Sequence, residues 1–166
     1  MDAKRKDTGK RHTSVERASD REVVVRRTIN GLARLVFDAW SKPELIMRWW
    51  TPKSIGISFV SCEADVRTGG TYRYVFRHPD FDQPMTFFGR YIEVIPNEKI
   101  VWTNEEDGDA GSITTLTLEE RGEETLLVIR DLYPNKAAAD EAVKSGAIGG
   151  FGEMFEQLDE LLASLS

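Results

Sequence analysis

The chain carries one cysteine, Cys62, and two histidines, His12 and His78. A single cysteine cannot close an intramolecular disulfide. Three side chains of these types are too few for a zinc finger or an iron–sulfur site, and they make a His-centred catalytic triad a poor fit. No run of ~18 apolar residues is present, so no segment reads as a membrane-spanning helix. The N-terminal stretch has no apolar centre and does not read as a secretory signal. Strings of the G-x-S-x-G, Walker, dinucleotide-fingerprint and H-E-x-x-H kinds are missing as well. Thr68-Gly69-Gly70-Thr71 reads as a turn between strands, not as a phosphate cradle ahead of a helix. These absences lead to the expectation of no metal, no cofactor and a reducing, cytoplasmic location. Any chemistry must come from carboxylates, arginines, tyrosines, tryptophans or the shape of the core.

The 166 residues are 40% hydrophobic and 30% charged, which is the composition of one ordinary globular domain. A chain of this size buries a core without disulfides or metals. Its net charge of −6 is unevenly spread. Residues 1–21 hold seven basic and four acidic side chains, a balance of +3, and residues 22–166 hold 15 and 24, a balance of −9. The basic head reads as a disordered tail over residues 1–21, ahead of one folded domain over residues 22–166. An acidic body is a poor match for phosphate backbones, so no nucleic-acid partner is expected.

Order is expected to begin near Glu22. Residues 22–30 are rich in β-branched side chains and read as a strand. Leu32, Leu35, Val36 and Trp40 then recur at helical spacing. Ser41-Lys42-Pro43-Glu44 suits the start of a second short helix, with a cap residue ahead of a first-turn proline, and Thr51-Pro52 should end it. From there the period drops to two. Val60, Cys62, Ala64 and Val66 form the apolar set of one strand, and Tyr72, Tyr74 and Phe76 that of the next. Four more strands follow, divided by Pro96-Asn97-Glu98-Lys99, by DGDAG and by RGE. Glu63, Asp65 and Arg67 fall opposite the apolar set, where cross-strand pairing with Arg73 or Arg77 is their expected use. Arg130 and Asp131 are expected on a polar face for the same reason. His78 reads as an exposed loop residue and Cys62 as a small core residue. From about Lys136 the chain should be helical, with Ile148, Phe151, Phe155, Leu158, Leu162 and Leu165 on one apolar stripe. Gly146, Gly149, Gly150 and Gly152 interrupt it, each at roughly 1 kcal/mol against alanine. Close approach to the sheet, a kink, a break or room for a ligand would each account for them.

Assembled, these elements predict an α+β fold. A six- to seven-stranded antiparallel sheet wraps around a long C-terminal helix, and two short helices follow the first strand. A twisted sheet around one helix leaves a gap, which is the usual geometry of a small-molecule site. Trp49 and Trp50 are candidate lining at the end of the second short helix. Tyr72, Tyr74 and Phe76 are candidates on one strand, followed by Phe87, Trp102 and Leu116 on later ones. Ile148, Phe151 and Phe155 would line it from the helix. Each of these sets would serve equally well as packed core.

Five strings, FDAWSKPELIMRWWTP, CEADVRTGGTYRYVF, FFGRYIEVIPNEKIVWT, TLTLEE and GGFGEMFEQLDELLA, occur in that order. With them the chain resembles the START-like, helix-grip (SRPBCC) superfamily. Within it, the chain looks like the bacterial single-domain relatives of the activator of the 90-kDa heat shock protein ATPase, the AHSA type. The resemblance runs from about Glu22 to Leu165 and implies the helix-grip fold. The superfamily includes lipid and hormone binders, polyketide cyclases and co-chaperones. A binding protein for a small hydrophobic or aromatic molecule, monomeric or a weak homodimer and without membrane insertion, is the first expectation. An enzyme of the polyketide cyclase, aromatase or dehydratase type is the second, and no catalytic residue stands out for it. A co-chaperone-like protein–protein module is the third. The chain lacks the N-terminal domain of the eukaryotic co-chaperone, which weighs against a chaperone partner.

Overall fold

The computed structural model describes residues 12–105, 111–144 and 150–165. Strands β1 (Ser14–Arg17), β2 (Glu22–Ile29), β3 (Ser58–Ala64) and β4 (Thr71–Arg77) are followed by β5 (Met85–Ile95), β6 (Lys99–Thr103), β7 (Ile113–Arg121) and β8 (Glu124–Leu132). They form one antiparallel sheet in the order β1-β2-β8-β7-β6-β5-β4-β3. From β3 to β8 each strand pairs with its sequence neighbour, as short turns allow. Strand β2 then returns beside β8.

Eight strands are one more than the six or seven expected. The extra strand is β1, which comes from the segment read as a disordered tail. Ser14 to Arg17 pair with Arg26 to Val23 on β2. All four residues of β1 are exposed, so no hydrophobic alternation marked them. Charge holds and protects this edge instead. Glu16 pairs with Arg26 at 2.8 Å and Arg17 with Asp140 at 2.9 Å, and charged side chains on an edge strand discourage further pairing.

A register shift between Phe59 and Ser61 corrects the reading of β3. One extra residue in a strand turns the following side chains over. Val60, expected inside, is 51% exposed, and Phe59 takes the inward place opposite Phe76. A second shift lies between Tyr91 and Glu93 on β5. The turn before β4 needs its glycines. Gly69 has φ +89°, and a Cβ on Gly70 would stand 1.9 Å from the Asp65 carbonyl oxygen.

Helices α1 (Ala33–Ser41) and α2 (Pro43–Trp49) lie between β2 and β3, with a short 3-10 turn over Lys53–Ile55. Pro43 opens α2 as expected, but Lys42 is the residue before it. Ser41 ends α1 instead, its hydroxyl donating to the Phe37 carbonyl at 2.7 Å.

The C-terminal helical stretch is present as α3 (Lys136–Lys144) and α4 (Phe151–Leu165). Residues 145–149, with Gly146, Ile148 and Gly149, lie outside the described residues. Helix α4 spans about 22 Å. Its Phe155, Leu158, Leu161 and Leu162 pack in one core with Val25, Ile29, Leu116, Leu127 and Ile129. A Cβ on Gly31 would stand 2.9 Å from Leu162 Cδ1, so glycine there lets α4 close on the chain after β2.

Three polar anchors fix α4. Arg27, 4% exposed, pairs with Asp159 at 2.8 Å, and the second Asp159 oxygen accepts the Asn30 amide. Gln157, also buried, donates to the carbonyls of Trp49 and Thr51 and accepts from the Lys53 amide. Glu153 accepts from the amide and hydroxyl of Ser54. The helix is thereby clamped to the end of α2.

Candidate ligand-binding site

All four tryptophans of the chain meet in one cluster. Helix α1 brings Trp40, α2 brings Trp49, Trp50 follows at once, and β6 brings Trp102. The Trp40 ring centroid lies 4.9 Å from Trp49, 5.2 Å from Trp50 and 5.7 Å from Trp102. The Trp49 Nε1–H donates to the Ala39 carbonyl at 2.9 Å. The Nε1 of Trp40 is buried and has no hydrogen-bond partner.

Three tyrosines face this cluster. Tyr72 and Tyr74 share one face of β4, and Tyr91 stands on β5. Tyr72 lies 5.1 Å from Tyr74 and 5.6 Å from Tyr91 between ring centroids. The phenols of Tyr74 and Tyr91 neighbour each other, and burial pushes both pKa values well up. Both therefore stay protonated near neutral pH. The Tyr72 hydroxyl donates to the Thr103 carbonyl at 2.7 Å and lies 3.3 Å from Asn104 Oδ1. Asn104 Nδ2 donates to Thr114 Oγ1 at 3.0 Å, and the Thr114 hydroxyl donates to Asp131. A polar chain thus runs from the tyrosines to Asp131. Burial lifts the Asp131 carboxyl to about 6 against the opposing pull of the Thr114 hydrogen bond.

Two neighbouring spaces lie here. An inner chamber of about 40 Å³ is lined by Trp40, Trp102, Tyr72, Tyr74, Tyr91 and Asn104, with Ile100 beneath. That volume holds a water or a few ligand atoms. An outer groove of about 330 Å³ runs along Phe76 and Met85, the Pro52 to Ile57 segment, and Gly150, Phe151 and Met154 of the C-terminal stretch. That is within the range of small-molecule pockets. Trp50 and Phe87 line both spaces and stand between them. A wider surface depression of about 570 Å³ lies elsewhere, over Leu32 to Arg34 and Glu119 and Glu120. It has no aromatic wall.

The family whose model matches this chain is described as activator of Hsp90 ATPase homolog 1-like protein, and the match covers residues 32–163. The chain belongs to this family. Solved structures agree on the fold. A Rhodobacter sphaeroides protein aligns with TM-score 0.85 at 22% identity, over 92% of this chain and 99% of that one. A Chromobacterium violaceum protein aligns with TM-score 0.71 at 25% identity, over 87% and 98%. An AHSA1-like protein from Aeromonas hydrophila aligns with TM-score 0.69 at 16% identity, over 87% and 95%. No curated protein matches the chain.

In this AHSA1-like chain the expected lining residues divide. Trp50, Tyr72, Tyr74, Phe76, Phe87, Trp102 and Phe151 line the two spaces. Trp49, Leu116 and Phe155 do not; each is fully buried in the core behind them. Phe155 reaches the site through Phe151, whose ring stacks on it at 5.5 Å. Ile148 lies outside the described residues. Sequence reasoning passed over Trp40, Tyr91 and Asn104. Tyr91 was within reach, because Phe87, Gly89 and Tyr91 alternate on β5. Asn104 lies just past β6, where no pattern marks it.

The readings of the acidic residues and of His78 also need correction, whereas Cys62 packs against the core as expected. Asp131 shares the parity of the buried Leu127 and Ile129, so it points inward and not to a polar face. Asp65 pairs with Arg67 at 2.9 Å instead of across the strands, while Glu63 stands opposite Arg73 in register. The His78 side chain is only 16% exposed and packs against Phe81. Cys62 is half-buried, and burial, then Glu44 and Glu63, push its thiol to about 11. It is a poor nucleophile near neutral pH. Among the described residues no group of three or more metal-ligating side chains gathers, and no helix is long and apolar enough to cross a membrane.

Proposed function

We propose that this chain binds a small hydrophobic or aromatic molecule between the sheet and α4, in the reducing setting of the cytoplasm. The observation that carries this reading is the outer groove of about 330 Å³, walled by Trp50, Phe76, Phe87, Phe151 and Met154. Apolar rings on opposite walls desolvate a flat guest from both sides. Gly150 widens the groove at its helix end, and a Cβ on Gly152 would meet nothing within 4 Å. Room for a ligand therefore fits these two glycines better than close packing on the sheet.

The test is a nuclear magnetic resonance titration of the full chain with 2-isopropenylnaphthalene. The signals of Trp50, Tyr74 and Phe151 should move together and saturate. Unmoved signals at the solubility limit, with no molecule found by mass spectrometry of the purified protein, would overturn the reading.

A second reading has its own observation. The Tyr74–Tyr91 pair lies buried in the wall of the site. Neutral, oriented hydroxyls of this kind can hold a reactive carbonyl chain in one pose, as cyclase or dehydratase chemistry requires. Under this reading Tyr74→Phe would bind the reactant and fail to turn it over. Binding and turnover that both survive would count against it.

A further inference from the structure

We infer that Phe87 sets the length of the guest, by closing the inner chamber to a molecule seated in the outer groove. This rests on the binding reading above and narrows its ligand to an uncharged aromatic molecule short enough to stay in the groove. Phe87 stands directly opposite Tyr74 in the β4–β5 register, and residues opposite each other point to the same face of a sheet. Tyr74 is 8% exposed and faces the core, so Phe87 points inward as well. Yet Phe87 is 41% exposed. An inward-facing phenylalanine open to that degree is left uncovered by the described residues. Its side chain lines both the inner chamber and the outer groove.

Trp50 is the other residue that lines both spaces, and the two differ in support. The Trp50 ring lies 5.2 Å from Trp40, 5.4 Å from Trp49 and 5.8 Å from Tyr74. Among the described residues the Phe87 ring has one aromatic neighbour, Phe76 at 5.3 Å. Trp50 is thus built into the core, whereas an exposed side chain such as Phe87 can be shortened at little cost to the fold. The two spaces also differ in chemistry. Tyr72, Tyr91 and Asn104 line the chamber and not the groove. No charged side chain lines the groove, so an ionised guest would lose its hydration there without a partner. The chamber, at about 40 Å³, has no room for a ring of its own. Taking away the Phe87 ring joins it to the groove and frees the volume of one phenyl group.

The experiment gives the guest the ring that the chain has lost. 2-Acetylnaphthalene and 2-acetyl-6-phenylnaphthalene share a body and a polar end and differ by one phenyl group. In the native chain the extra ring has only the open mouth of the groove to occupy. In Phe87→Ala the ratio of the two affinities should swing about tenfold toward the longer guest. Intermolecular nuclear Overhauser contacts should place the longer guest against Trp102 and Tyr91 in this variant and against neither in the native chain. Phe87→Leu keeps part of the side chain and should swing the ratio less. If the ratio is the same in all three chains, or if the guest touches Trp102 in the native chain, the inference is overturned and the binding reading stands. If neither guest binds any of the chains, both are overturned. Should Phe87→Ala fail to fold, Phe87→Leu and the contacts in the native chain decide the matter.

Discussion

Trp49 and Trp50 are adjacent in the chain and have different fates. Helical geometry turns neighbouring side chains about 100° apart, so one enters the core and the other the cavity wall. A dipeptide cannot reveal which is which. Asp131 shows the same limit on a strand. In ETLLVIRDL both faces carry apolar residues, so alternation does not tell inside from outside. Its inward placement has a measurable consequence. The folded-state pKa of Asp131 is raised from 3.8 to about 6 by burial. Between those values the folded chain holds a proton that the unfolded chain has released. Stability therefore falls as pH rises through this window and levels off above it. Asp131→Asn keeps an acceptor for Thr114 and removes the titration. It should be more stable than the native chain at pH 7.5 by on the order of 1–2 kcal/mol, with the gap closing below pH 4. Urea midpoints at the two pH values measure this. An equal gap at both would place the carboxyl in water.

Local pattern marked β2 through β8, α1, α2 and the apolar stripe of α4, because each buries one face at its own period. Strand β1 has no buried face and left no such mark. The anchors of α4 were hidden for a different reason. Arg27 and Asp159 are 132 residues apart, and Gln157 lies more than 100 residues from its partners. Nothing near any of them in sequence announces the pairing. Removing one partner of a buried ion pair leaves the other uncompensated. Asp159→Ala should cost about 3 kcal/mol in chemical denaturation, the lower end of the usual range because Asp159 is itself 18% exposed. Arg27→Met combined with Asp159→Leu should recover most of that loss. If the single change is silent, α4 is held by its apolar stripe alone.

The sheet, the α1–α2 pair and α4 together enclose a space that no single element owns. A guest bound only by the folded chain stabilises it by about 2.7 kcal/mol at a hundredfold excess over Kd. For a domain of this size that corresponds to a melting-temperature rise of roughly 5–10 °C. Calorimetry with 2-acetylnaphthalene should show it. A flat melting temperature at saturating guest would mean that the guest binds the unfolded chain equally well. The third expected reading, a protein–protein module, leaves the groove without an occupant and forecasts no such rise.

The α+β order of elements and the aromatic character of the candidate site were legible in residue types and periods. Side-chain direction follows from local backbone geometry, so period reports which residues share a face. Tertiary structure decided which aromatic residues border empty space, that Trp50 and Phe87 stand between two chambers, and that Trp40 keeps an unpaired donor. A cavity is what remains after distant elements have packed, and its walls depend on crossing positions and on bulges such as that at Val60. Those are properties of contacts across the chain, and no window of neighbouring residues contains them.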